Sequence, residues 1–201
     1  MENFDGVVIS DRYAAYNYFT SDKRQICWAH LKRDFTRISE KQEPIIARIG
    51  KGLLECQANL FELWHQYKQG RDSRDELIRK TRPIRHKIGE LLEQGTYTDP
   101  KLKIFRFCSN LLTCYSALWT FIFNEQIEPT NNHAEQCLRP AVIWRKKYFG
   151  TRSDYGSDFL SRTMSLITSC RLQSKSAFAA LSEIVTSYFS GQKYLIFATP
   201  T

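Results

Sequence analysis

Gly6-Val7-Val8-Ile9-Ser10-Asp11-Arg12-Tyr13-Ala14-Ala15-Tyr16 is the stretch that decides between an all-helical chain and an α/β one. Its β-branched run Val7–Ile9 has the composition of a strand in a parallel or mixed sheet, covered on both faces. Asp11 falls just past that run, at the strand's carboxyl end, where open α/β sheets put their chemistry. It equally suits the N-cap of a helix entering Ala14-Ala15-Tyr16, and the stretch by itself leaves both roles open. A second short strand is expected over Gln25-Ile26-Cys27-Trp28. It leads into helical spacing through Ala29, His30, Leu31, Lys32, Arg33, Asp34 and Phe35.

Downstream the period changes from two to between three and four. Ile46, Ile49, Leu53, Cys56, Leu60, Leu63 and Tyr67 form a stripe for helix–helix packing, and Gly70 suits its end. A second helix is expected from Ser73, carrying Leu77, Ile78, Ile84, Ile88, Leu91 and Leu92, with Pro83 as a kink and Gly95 as its close. A third long helix after Pro100 would turn Leu102, Phe105, Cys108, Leu112, Tyr115, Trp119 and Ile122 inward. Two more helices are expected near 156–172 and 176–190. Trp28, Trp64 and Trp119 read as packing residues.

The other informative segment is PTNNHAEQCLRPAVIWRKK, Pro129–Lys147. A turn opens it, Glu135 sits in the first turn of a short helix, and Arg139 follows on the same face four residues later. Pro140 is expected to end that helix, because the residue before a proline avoids helical geometry. Arg145-Lys146-Lys147 comes next, flanked by Trp144 and Tyr148. One carboxylate among cations and flat rings suggests a site that meets a polyanion. The same residues also read as a capping box, Asn132-x-x-Glu135, with an ordinary Glu135–Arg139 surface pair. Gly150 and Gly156 bracket a loop holding Arg152, which could approach a phosphate backbone closely.

Composition narrows the classes. A chain of 201 residues can bury a real core, as one domain or one domain with an insertion, and 42% hydrophobic with 25% charged residues excludes disorder as the default. Net charge of +8 and a pI near 9.2 favour an acidic partner such as nucleic acid. No apolar run approaches the ~20 residues of a membrane span. The acidic, polar start Met1-Glu2-Asn3-Phe4-Asp5 is unlike a secretory signal. A cytoplasmic protein with its six cysteines reduced is therefore expected. Cys27-x-x-His30 has the spacing of half a zinc site, but no second close pair accompanies it, and structural zinc is not expected. The basic run from Arg79 to Lys87 reads as a solvated helix face. His30, with Lys32 and Arg33, follows a strand end near Asp11 and suits either DNA contact or a buried, bonded core role.

In order and spacing the blocks SDRYAAY (10–16), CWAHLKRDF (27–35) and NNHAEQCLRPAVIWRKKYFGT (131–151), with the helical region Phe159–Phe189, resemble the C-terminal part of the DDE transposases of the insertion-sequence-66 family. The resemblance implies that Asp11 is the second catalytic acid and Glu135 the third. It implies a partial ribonuclease-H-like core, 1–30 with 129–190, interrupted by a helical insertion, 31–128, and followed by a tail, 191–201. The fold class expected is thus α/β, mostly helical by content. The tail Tyr194–Thr201 does not fit the family's ending.

The resemblance also implies Mg²⁺ or Mn²⁺ as cofactor, held by Asp11 and Glu135. Strand cleavage and transfer put charge on attacking and leaving oxygens alike, and two divalent ions about 3.5–4 Å apart stabilise both. Arg139, Trp144, Arg145, Lys146, Lys147 and Arg152 would meet DNA, with Asn131 and Asn132 positioning the loop. Arg12, Thr130 and Lys147 depart from the family's usual Gly, Asp and Asn. The first catalytic acid would lie well upstream of the second, and Asp5 is too near Asp11 to take its place. The expectation is a C-terminal transposase fragment, inactive alone, with weak metal binding and with DNA, a second copy or an upstream-encoded fragment as partner. The rival is a basic helical DNA-binding or interaction module without catalytic descent.

Overall fold

The computed structural model describes residues 5–192, which fall into two compact units, Met1–Asn132 and His133–Thr201. In the first unit, β1 (Val8–Ser10) and β2 (Arg24–Ile26) pair in parallel, Val8 beside Arg24 and Ser10 beside Ile26. The link between them is two 3₁₀ turns, Ala14–Tyr16 and Ser21–Lys23, where one short helix was expected. β2 lies slightly earlier than the sequence suggests, because Trp28 already begins the next helix. β2 is buried throughout, and the Gln25 side chain explains how. Its amide donates to the Ile26 and Leu118 carbonyls at 2.7 and 3.2 Å, and its oxygen accepts from the Phe121 N–H at 2.9 Å.

Five helices, the last a single turn, enclose the core beside this sheet among the described residues. α1 (Trp28–Ser39) buries Trp28, Leu31 and Phe35. α2 (Pro44–Lys68) starts on a proline, whose missing N–H costs nothing there, and buries the expected stripe from Ile46 to Leu60. Trp64 joins that stripe, while Leu63 and Tyr67 pack only partly against it. Gly50 lets α2 meet the end of α1 backbone to backbone: a Cβ there would lie 2.3 Å from the Ser39 nitrogen. Gly70, at φ +72°, supplies the left-handed residue past the helix end. α3 (Arg74–Thr96) opens on a capping box between Ser73 and Glu76. Pro83 stays inside it, and Thr81 Oγ1 and Arg85 Nη2 both donate to the nearby Ile78 carbonyl. Gly95 lies within the last turn, packed on Cys108, whose thiol burial pushes up to about 12.

The third long helix is not continuous. α4 (Lys103–Thr113) buries Ile104, Cys108 and Leu111, then breaks at Cys114 into a 3₁₀ turn, Tyr115–Leu118, and the short α5 (Thr120–Phe123). The break frees the Leu118 carbonyl, which accepts from Trp28 Nε1 at 2.8 Å as well as from Gln25. An unbroken helix would have committed that carbonyl to its own ladder.

The second unit holds α6 (Asn132–Tyr148, beginning on the last residue of the first unit), α7 (Asp154–Leu172) and α8 (Ala177–Ser190). α7 and α8 match expectation, each with a serine N-cap, Ser153 and Ser176. α6 corrects it. Pro140 does not end the helix but sits inside it, so Glu135 belongs to a helix of 17 residues. A proline removes one ladder bond, and the helix instead stops where Phe149 and Gly150 turn to positive φ. Gly156 falls in the first turn of α7, so Arg152 lies between the helices on a shorter loop than expected. The tail Tyr194–Thr201 lies outside the described residues. No helix among the described residues is long and apolar enough to cross a membrane.

Candidate nucleic-acid and metal site

Asp11 stands at the carboxyl end of β1, as the strand reading requires. Its Oδ1 accepts the Tyr13 N–H at 3.0 Å, an Asx turn that steers the chain into the first 3₁₀ turn. Asp11 is therefore not the N-cap of the following turn, which is Tyr13, but bonds the residue that is. One carboxylate oxygen of Asp11 is thus taken up by the turn.

The loop carrying Asp11 is held from beneath by Arg24, 3% exposed. Its guanidinium donates to Ser10 Oγ at 3.0 Å, to Asn17 Oδ1 at 3.0 Å and to the Asp11 carbonyl at 2.8 Å. A buried guanidinium with neutral acceptors is costly unless its donors are met, so these bonds fix the loop's path. Sequence reading missed Arg24. Its only signal was a cation within a strand that packing makes fully buried.

The segment before α6 is tied to the same sheet edge. The Cys27 N–H donates to the Ser10 carbonyl at 2.8 Å, extending the parallel ladder by one bond. The Trp28 N–H donates to the Pro129 carbonyl at 2.9 Å, and the Asn131 N–H to Cys27 Sγ at 3.5 Å. Residues 129–131 thus run along the carboxyl edge that also carries Asp11, and Asn131 leads directly into α6. Asn131 Oδ1 is buried and accepts nothing among the described residues. Cys27 is one of six free cysteines, and here it works as a sulfur acceptor in this junction.

His30 lies in the first turn of α1, 3.5 Å from Arg33 Nη2, and Lys32 and Arg33 are exposed on the same helix. In the second unit Glu135 is half-buried in the first turn of α6 and Arg139 is exposed. Trp144 stacks on Tyr148 with ring centroids 5.8 Å apart. Arg145, Lys146 and Lys147 fill the last turn of α6, where cations complement the helix dipole. Gly150, at φ +83°, follows them, and Arg152 is exposed beyond it.

Mg²⁺ and Mn²⁺ prefer hard oxygen ligands with room for water, and the residues present fit that chemistry in part. The second carboxylate oxygen of Asp11 has no hydrogen bond or ion pair among the described residues, whereas Asp34 is taken up by Arg12 at 2.7 Å and Arg37 at 3.3 Å.

These features define an α/β chain with a strand-end carboxylate at a parallel sheet edge and a large helical body. A family model, Transposase IS66 family, matches residues 1–158, and the chain belongs to that family. Neither the curated proteins nor the solved structures contain a match. The match ends inside α7, so the helical region Phe159–Phe189 lies beyond it.

Proposed function

We propose that this chain contributes the second and third acids, Asp11 and Glu135, to a DDE transposase that cleaves and transfers DNA strands. In this reading 1–30 and 129–190 belong to a ribonuclease-H-like core, and 31–128 is the helical insertion between its parts. The observation that carries it is the bonded run Ser10–Cys27–Asn131, which supports a shared origin at one sheet edge for Asp11 and for the segment entering the Glu135 helix. Asp11 and Glu135 hold Mg²⁺ or Mn²⁺, and Glu135 orients water. The ions, when bound, stabilise charge on the attacking and leaving oxygens. Arg139, Arg145, Lys146, Lys147 and Arg152 neutralise phosphates, as do His30, Lys32 and Arg33, while Trp144 lies along the DNA and Asn131 and Asn132 shape the loop. Phosphate contacts of this kind carry no base information.

Asp11 and Glu135 by themselves are two carboxylates, and two are expected to bind divalent cations weakly. The purified chain is expected to bind DNA with strong salt dependence and neither to nick nor to join it. Efficient Mg²⁺-dependent cleavage by the chain alone would overturn that. Mn²⁺ titration calorimetry separates the catalytic reading from its rival. Asp11→Asn and Glu135→Gln should each abolish the residual binding and leave DNA affinity unchanged. The Asx turn at Asp11 favours the rival, a DNA-binding module without catalytic descent. Under that reading neither substitution alters Mn²⁺ binding, and Asp11→Asn, which keeps the capping oxygen, is silent.

A further inference from the structure

A groove of about 720 Å³ in the first unit takes no part in the site above. One wall is the outer face of α1 with Lys41 beyond its end, and the other is the first two turns of α4. Its charge is lopsided. Arg12 and Arg37 share Asp34, which leaves Lys41, Lys103 and Arg106 without an ion pair among the described residues and only Glu43 to oppose them. Apolar side chains line the groove beside these cations, among them Ile38, Leu102 and Phe107. At one end the Arg12 guanidinium lies 4.5 Å over the Phe107 ring and is locked by Asp34. That makes a flat cationic platform one residue from Asp11.

We propose that this groove binds single-stranded DNA, with phosphates on Lys41, Lys103, Arg106 and Arg37 and bases against Leu102 and the Arg12–Phe107 platform. The inference rests on the DNA reading above and adds a channel for the strand beside Asp11. Fully solvated cations would serve any polyanion. Apolar side chains beside them suit a ligand that carries charge and flat unpaired faces together, which a single strand does and a duplex does not. Guanidinium planes stack on bases, so Arg12 is more than a filler of the space that a smaller residue would leave.

The test uses the full chain and fluorescence anisotropy with a labelled oligothymidine, a duplex of equal length and a salt series. Lys41→Glu, Lys103→Glu and Arg106→Glu combined should weaken single-strand binding at least tenfold and flatten the salt slope by about 2. Leu102→Ser should weaken it several-fold without touching duplex affinity. All four residues are exposed, and an unchanged melting curve confirms the fold. The control is Arg79→Glu with Arg82→Glu on α3, which should change little. Equal losses in control and groove variants, no loss in the groove variants, or duplex binding in the groove as tight as single-strand binding would each overturn the proposal and leave the transposase reading standing. No binding of either DNA would overturn both.

Discussion

The two units spend their apolar residues differently. In Met1–Asn132 the large hydrophobics converge: Trp28, Phe35, Ile49, Leu53, Leu60, Leu92 and Phe121 are fully buried in one continuous core. In His133–Thr201 the described helices bury only Cys170, Ala180 and Ser187, while Phe149, Phe159, Phe178, Tyr188 and Phe189 are exposed. Phe149 is 96% exposed. The first unit is therefore held by packing, whereas the second buries few side chains among its described residues. Exposed apolar surface on this scale is uncommon on a protein that meets nothing. The comparison teaches that helix formation and core formation are separate achievements of a sequence.

The strongest way to break the comparison is a large-to-small change in each unit. Trp28→Ala removes a buried ring that touches Phe35, Phe61 and Trp119, and with it the shorter of the two hydrogen bonds to the Leu118 carbonyl. It should cost about 3–5 kcal/mol in chemical denaturation. Gly50→Ala in α2 should cost about 1–3 kcal/mol, since the new methyl meets backbone of α1 rather than a side chain that could turn away. By contrast Phe178→Ser in α8 should change stability by no more than about 0.5 kcal/mol and improve solubility. A large loss at Phe178 would mean that the second unit has a core after all. Hydrogen exchange sharpens the same point. Amides of α2 and α3 should open only with global unfolding, and those of α6 to α8 at much lower free energy.

What was legible follows the same division. The stripe on α2 was readable because burial imposes a period on the sequence, and the β-branched run at Val7–Ile9 marked a strand, though Val8 and Ile9 are half-buried rather than covered on both faces. The strand-end position of Asp11 and the ends at Ser73 and Gly70 came with them, while the choice between a parallel and a mixed sheet stayed open. The break at Cys114 was not readable, since it depends on Trp28 and Gln25, remote in sequence, claiming the Leu118 carbonyl. Arg24 escaped notice for a related reason: its role is set by three acceptors that only the folded loop gathers. Pro140 misled because its local bias against helix is real but small beside a 17-residue ladder. At the candidate site, Asp11 and the run from Asn131 to Glu135 were visible as motifs. The sulfur contact that ties Asn131 to the sheet edge was not.

The smallest effect expected separates the two units by pH. In the first, the Ser73 N–H and hydroxyl hold the Glu76 carboxyl below its usual range. A carboxyl depressed in the folded state adds stability above its unfolded value, about 4.3, and that stability fades as pH falls through the lower folded value. Glu76→Gln should therefore lower the melting temperature at pH 7 and converge on the parent chain as the solution is acidified. In the second unit the caps are neutral: Ser153 accepts from the Gly156 N–H and Ser176 from the Ala179 N–H. Ser176→Ala should reduce helicity by the same small amount at neutral and at mildly acid pH, measured by circular dichroism. If its effect instead tracked acidification, an ionisable partner would be acting at α8, and the contrast drawn here between a charged and an uncharged helix start would fail.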